Sequence, residues 1–380
     1  MANYVSSHTG AEIDAAVDKA NALPAVTEAH EGDIMSFSDG EWSPANLTLL
    51  MVEKGLYTPN LATDSWAVIN DISASGNAAN YYAVGDTKEI TLNGTMGTFE
   101  IVDMTAYVYI IGFNHNAAVE GNGITFGTFK FPAEEEVAPA EPGGEGASEN
   151  LGKSAADDID ICLVDGAYGG FGEPGDKTFS MNHWGEIGGK GEILSYNHGG
   201  WAGCDMRYDI LGSTNVAPDD YGEATAEGRE GHDPTSTCAT NPVANTLMSC
   251  LPAALRAVMK PITKYTDNVG GGNGDVEANV TASIDYLPLL AEHEVHGAAE
   301  QEEWHGANSY ETEHQAQYAY YANGNSKIKY KSDDGETAAW WWVRSPYRDN
   351  STGFCIVDEG GVAGNDGASL SSGVAPLFKV

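Results

Sequence analysis

Apolar residues recur in short groups, and each group predicts one element. Ile13, Ala16, Val17, Ala20 and Leu23 repeat at helical spacing behind Thr9-Gly10-Ala11-Glu12, which fits a capping box, and Pro24 stops the run. A helix this short is marginal alone in water, so its stripe must pack on something. Two readings stay open: packing on its own chain, or self-association and docking into a larger assembly. Trp66, Ile69 and Ile72 predict a second helix ending near Gly76. Glu89 to Leu92 and Phe99 to Phe113 predict strands around a Gly-containing turn, the second with both faces buried. Pro252 opens a helix holding Leu255, Val258 and Met259, closed by Pro261. Ile284, Leu287, Leu289 and Leu290 form an apolar cluster leading into 291–297.

The last forty residues carry the clearest pattern. Ala339 to Tyr347 reads as a buried aromatic strand ending at a Pro-marked turn. Phe354 to Val357 is a second strand, and Val374 to Val380 closes on a third. Between them, 348–353 and 358–373 hold Asp, Asn, Ser, Thr and Gly with few large apolar residues. Polar loops on a rigid apolar scaffold are the usual form of a recognition surface. The plainer alternative is ordinary hairpin loops. Short strands, few helices, long loops and no fixed-period repeat predict an α+β fold.

Composition narrows the partners. The 380 residues include 56 Asp plus Glu against 18 Lys plus Arg, a formal net charge of −38. Nucleic acid and anionic membrane surfaces need the opposite surplus, so neither is expected as a partner. Hydrophobic residues at 42% and aromatic residues at 9% supply a core and argue against global disorder. No run approaches the roughly 18 apolar residues of a membrane span, and the N-terminus shows no secretory signal. The five cysteines include no CxxC pair and read as mostly free thiols of a protein made in a reducing cytoplasm. Much of the acidic surplus falls in two polar insertions, at about 133–158 and 219–242, with a shorter Gly-rich loop at 270–278. These most simply solvate loops; calcium binding is the lesser alternative, since no Asp-x-Asp-x-Asp-Gly loop is present, and no cofactor is expected.

Catalytic motifs are sparse. His293 and His296 stand at i and i+3, short of the i and i+4 spacing of a His-Glu-x-x-His zinc helix, with His305 and His314 nearby. A metal-dependent hydrolase built on them is the weakest reading. There is no Gly-x-Ser-x-Gly elbow, and Gly270-Gly271-Gly272-Asn273-Gly274 lacks the Lys-Ser/Thr of a phosphate loop.

The ending Trp-Trp-Trp-Val-Arg-Ser-Pro-Tyr (340–347), then Phe-Cys-Ile-Val (354–357) and Gly-Val-Ala-Pro-Leu-Phe-Lys-Val (373–380), resembles a bacterial and phage domain family of the C-type-lectin fold. That family lies near the formylglycine-generating-enzyme branch. Val84 to Lys88, Ile110 to His115, Ile124 to Phe126, Met181-Asn182, Gly199 to Trp201, Met206-Arg207, Leu251-Pro252, 286–297 and Gln317 to Tyr321 extend the likeness over most of 84–380. Ser7 to Val17 resembles the opening of phage tail and head fibre proteins. The enzymes of that branch use a pair of redox cysteines near the C-terminus, and only Cys355 lies there, so that activity does not carry over.

The resemblance implies a virion adhesin or fibre, with 1–76 as an attachment and oligomerisation segment and 77–380 as a lectin-like binding domain. It implies a homotrimer on the virion surface, joined to other virion proteins through the N-terminal segment and binding a host-surface protein or glycan without catalysis. The alternative is a structural capsid or tail decoration protein with no specific ligand. Terminal segments of such domains are in several phages the target of diversity-generating retroelements. On that likeness the ligand-binding residues are Tyr347, Arg348, Asp349, Asn350, Ser351, Asp358, Asn365, Asp366, Ser369 and Ser371, with Trp341 and Arg344 as scaffold.

Overall fold

The computed structural model describes residues 33–38, 41–131, 159–171, 177–181, 197–214, 238–297 and 306–380. The expected helix at 13–23, the acidic insertion at 133–158, most of that at 219–242 and His305 lie outside the described residues. Two compact units emerge, 1–59 and 60–380. In the first, β1 (Asp33–Ser38) and β2 (Glu41–Asn46) form an antiparallel hairpin with Phe37 opposite Trp42. The helix Leu47–Glu53 follows, started by the Asn46 side chain, which accepts the Leu49 N–H.

The second unit begins earlier than the boundary expected at 76. Ser65 caps the helix Trp66–Ala74, which buries Trp66, Ile69 and Ile72 at the predicted spacing. Trp66 meets Phe126 and Phe378 edge-on at centroid distances of 5.6 and 6.1 Å. These contacts place the helix in the core of the C-terminal unit.

A mixed sheet of seven strands forms the framework of this unit. β3 (Thr87–Met96) and β4 (Phe99–Phe113) pair antiparallel, and β4 continues onto β5 (Ile124–Phe131). On its other edge β5 takes β6 (Ile159–Cys162) at one end. At its other end β5 takes the last strand of the chain, Leu377–Lys379, with Phe378 opposite Phe126. Every residue of β5 but the last is buried, as an apolar strand covered on both faces requires. β4 departs from expectation: it is buried on both faces only from Val108 onward, while its first half is open and Val102 is 69% exposed.

Two smaller sheets complete the unit. β7 (Ile262–Asp267) and β8 (Val280–Asp285) form a hairpin around the 268–279 loop. Ile284 on β8 is 61% exposed, because it points away from the face that buries Ser283 and Asp285, so it does not join the expected cluster with Leu287, Leu289 and Leu290. The helix expected after Pro252 is a single turn, Ala253–Arg256. Cys238 and Ala239, read as the end of an acidic insertion, are buried, with the Cys238 thiol donating to the Ser213 carbonyl.

β9 (Lys329–Lys331) lies parallel to β6, and β10 (Ala338–Ala339) pairs with β9. β11 (Trp341–Pro346), β12 (Gly353–Val357) and β13 (Ala363–Gly367) form an antiparallel sheet. Trp341 and Trp342 are fully buried while Trp340 is exposed, so core packing claims two of the three tryptophans. Sheets joined by short helices and long connections agree with the expected α+β class. Among the described residues no helix is long and apolar enough to cross a membrane.

Candidate functional site

The β11–β12–β13 sheet presents two connections: 347–352 between β11 and β12, and 358–362 between β12 and β13. Residues 363–367 were expected as loop and are a strand, with Asn365 opposite Cys355 and Asp366 opposite Phe354. The polar composition of β13 hid it: it is an edge strand whose side chains are at most half-buried.

Residues distant in sequence hold 347–352 by its backbone. Asn197 is fully buried, and its Nδ2 shares two hydrogens among the carbonyls of Tyr347 (3.3 Å), Asn350 (2.9 Å) and Gly353 (2.9 Å). Its Oδ1 accepts the Gly271 N–H at 2.8 Å, so one amide ties this loop to the Gly-rich loop at 270–274. That loop lies close against its neighbour. A Cβ on Gly272 (φ +66°) would stand 2.6 Å from the Asn350 carbonyl carbon. Arg348 adds two links: its N–H donates to the Gly306 carbonyl at 2.8 Å, and its guanidinium reaches Asp275 at 3.2 Å. Burial pushes the Asp275 carboxyl up, but the Ser309 N–H and Arg348 together outweigh it and hold the group below its ordinary value.

The ten expected contact residues therefore divide. Asp349 and Asn365 are exposed. Tyr347 is half-buried against the core, and Arg348 is half-buried in its ion pair. Asn350 turns its Oδ1 inward to accept the Thr352 and Gly353 N–H groups, both at 2.9 Å, and shapes the loop. Ser351 is half-buried, and its carbonyl accepts the Asn197 N–H. Asp358 closes the hairpin turn by accepting from Gly360 and Val362. Burial raises the Asp366 carboxyl above its ordinary value.

Ser369 and Ser371 are buried, and the Ser371 hydroxyl donates to Asp165 at 2.6 Å, which removes both from a contact surface. Sequence reasoning missed Asn197, Asp275 and the exposed Thr352; nothing local marks the first two, whose partners lie some 70 to 150 residues away.

Beneath these loops lies a buried ionic cluster. Lys264 Nζ contacts Glu294 (2.7 Å), Glu120 (2.9 Å) and the Tyr318 hydroxyl (2.9 Å). Arg344 forks onto both Glu294 oxygens at 2.6 and 3.0 Å. Burial opposes ionisation of Glu294, but the Arg344 and Lys264 charges hold its carboxyl far below the usual range. Glu120 is raised by burial, and Lys379 is lowered by burial to about 8. His115, Glu120 and Glu294 bring their ligand atoms within 4.8 Å of one another, and they are the one such group among the described residues. The site does not suit a cation: the Lys264 ammonium already lies between the carboxylates, with Arg344 and Lys379 beside them. His293 and His296 are buried on the helix Glu292–His296 and belong to no such group among the described residues. The Cys355 thiol is buried in β12, and burial pushes it well above its ordinary value.

The family model of DUF6273, described as a domain of unknown function, matches residues 194–380. No curated protein and no solved structure matches the chain. The matched stretch starts just before Asn197 and takes in every segment that builds the loop surface. It leaves out β3 to β6, into which the last strand of the chain is paired.

Proposed function

We propose that this chain is a phage virion surface protein, a tail or head fibre or adhesin, whose C-terminal unit has a C-type-lectin-like fold and binds a host-surface protein or glycan. The N-terminal segment would join other virion proteins and set a homotrimer. Attachment needs no catalysis, and multivalent display raises a weak single-site affinity through effective concentration. One observation carries this reading: the 347–352 backbone is fixed by Asn197, Gly274 and Gly306, while Asp349, Thr352 and Asn365 are left exposed. A surface of that kind keeps its shape whichever side chains it presents. Trp340 adds an exposed indole as a stacking face for a sugar ring, its backbone N–H donating to the Tyr168 hydroxyl.

The test is adhesion of purified protein to host cells. Asp349→Ala with Asn365→Ala should lower adhesion at least about tenfold, because contact residues at an interface centre each contribute about 1 kcal/mol or more. The melting temperature should not move. Full adhesion by this variant would remove these loops from the contact surface, and no adhesion by the unsubstituted chain would favour a structural decoration protein.

A further inference from the structure

β13 (Ala363–Gly367) is the outer strand of its sheet and pairs with β12 without a shift in register. Hydrogen bonds at both ends fix its orientation: the Asp358 N–H donates to the Val362 carbonyl, and the Ala368 N–H to the Thr352 carbonyl, each at 2.8 Å. Alternation from these two pairs turns the N–H and C=O groups of Gly364 and Asp366 toward β12, and those of Ala363 and Asn365 outward. No strand meets the outward groups among the described residues. Gly367 is closed locally, its N–H donating to Asp366 Oδ1 and its carbonyl accepting the Leu370 N–H.

Open edges recruit other strands, and folded proteins blunt them. β3, an outer strand of the large sheet, is bulged between Leu92 and Gly94, and Cys250 packs against Gly94. On the outer side of β8 the Ile284 carbonyl accepts from Arg207 Nη2 at 3.2 Å, and just beyond it the Tyr286 N–H donates to the Ser213 carbonyl at 3.0 Å. β13 has no bulge, no proline and no lysine. Gly364 leaves the middle of its backbone without a side chain. Apolar side chains flank the edge: Val362 is exposed at one end, and Phe171, bridged to Leu370, is exposed at the other. An extended peptide matches outward N–H and C=O groups at the spacing of a strand, and a carbohydrate carries no such row.

Charge selects among strands. Glu359 is exposed in the turn that leads into β13, and Asp366 is half-buried on the strand itself. Lys327, beside Gly361, offsets part of this charge. A second copy pairing edge to edge would bring two such sets of carboxylates together, on chains that each carry a net −38. A strand bearing Lys or Arg meets them with the opposite sign.

We propose that β13 is a docking edge for an extended, basic strand of a partner protein, which pairs with Ala363 and Asn365 through its backbone and with Glu359 and Asp366 through its side chains. The inference deepens the adhesin reading and rests on it for the source of the strand, an extended segment of a host-surface protein. The pairing itself does not depend on that reading.

The experiment selects peptides of about eight residues from a random library on the full chain, then measures binding of an enriched peptide to the chain and to Asn365→Pro. Proline removes the outward N–H and leaves the bonds to β12 in place, so the melting temperature should hold. Enriched peptides should carry Lys or Arg and bind Asn365→Pro at least about tenfold more weakly. N-methylation of alternate peptide amides should weaken binding in one of the two alternations and spare the other. Absence of enrichment, enrichment without basic residues, undiminished binding to Asn365→Pro, or equal effects of the two methylations would each overturn the proposal. An oligosaccharide bound by the chain but not by Asn365→Pro would overturn it in favour of a glycan, and a change of oligomeric state in that variant in favour of a second copy. Should Asn365→Pro fail to fold, Ala363→Pro and the methylated peptides decide in the same way. No host cell is involved, so a failure here is separate from a failure of adhesion.

Discussion

Arg344 and Glu294 form a two-pronged ion pair with both side chains at 0% exposure, fifty residues apart in sequence. Lys264 shares the same carboxylate, and β11, the helix Glu292–His296 and β7 are thereby joined at one point. Removing Arg344 leaves the Glu294 carboxylate, away from water, with Lys264 as its remaining cation and one oxygen stripped of its charged donor.

Arg344→Met should therefore cost about 3–5 kcal/mol of folding stability. Equilibrium denaturation in urea measures it. The exposed Lys54–Glu53 pair is the control: Lys54→Met should change stability by less than about 1 kcal/mol.

Asn197→Ala removes the amide that joins 347–353 to the Gly-rich loop. It leaves buried carbonyls without a donor, at a cost of about 1–3 kcal/mol. Gly272→Ala should cost a similar amount, about 1–3 kcal/mol, by placing a Cβ against Asn350 at a positive φ. Both variants should lose adhesion, unlike a destabilised variant of the large sheet such as Ile110→Val, which should keep it. Melting curves and cell binding, taken together on each variant, test this.

Stability should also follow the state of Glu311. Its folded value, about 7, lies above its ordinary 4.5, so the folded chain holds this proton more tightly than the unfolded chain. That contribution is fully present below about 4.5 and is lost as pH rises through about 7. Glu311→Gln should remove this part of the decline, making the variant relatively more stable at pH 8 than at pH 5. Melting temperatures across pH 5 to 8 read the crossover, and parallel curves for the two proteins would contradict it.

The His115, Glu120 and Glu294 group should take up no stoichiometric zinc. The ion would have to displace Lys264 and add positive charge beside Arg344 and Lys379, with only two carboxylates to balance it. His115 would offer a neutral imidazole, since burial and Lys264 lower it to about 3. Metal analysis after incubation with zinc, with melting temperatures before and after chelation, measures this. Uptake of one ion with a rise in melting temperature would contradict it.

The sequence determined the elements whose signal is local. Trp66, Ile69 and Ile72 lie one turn apart and mark one helix face, and Phe354 to Val357 is a short apolar run, so helix and strand were both legible without partners. The division between scaffold and polar connection was legible for the same reason at 347–352, but not at 363–367, where a polar edge strand reads as loop. What the sequence could not show was pairing across distance. With 56 acidic residues on the chain, nothing local distinguishes Glu294, Glu311 or Glu120 from a solvated carboxylate.

Only the tertiary structure selected those three for burial, brought Asn197 beneath a loop some 150 residues away and enclosed Ser371 where composition suggested exposure. The physical reason is that helix and strand signals arise from neighbours along the chain, within a turn or a pleat. The fate of a polar side chain depends on what packs over it, and that is decided when β5 takes β4, β6 and the last strand together.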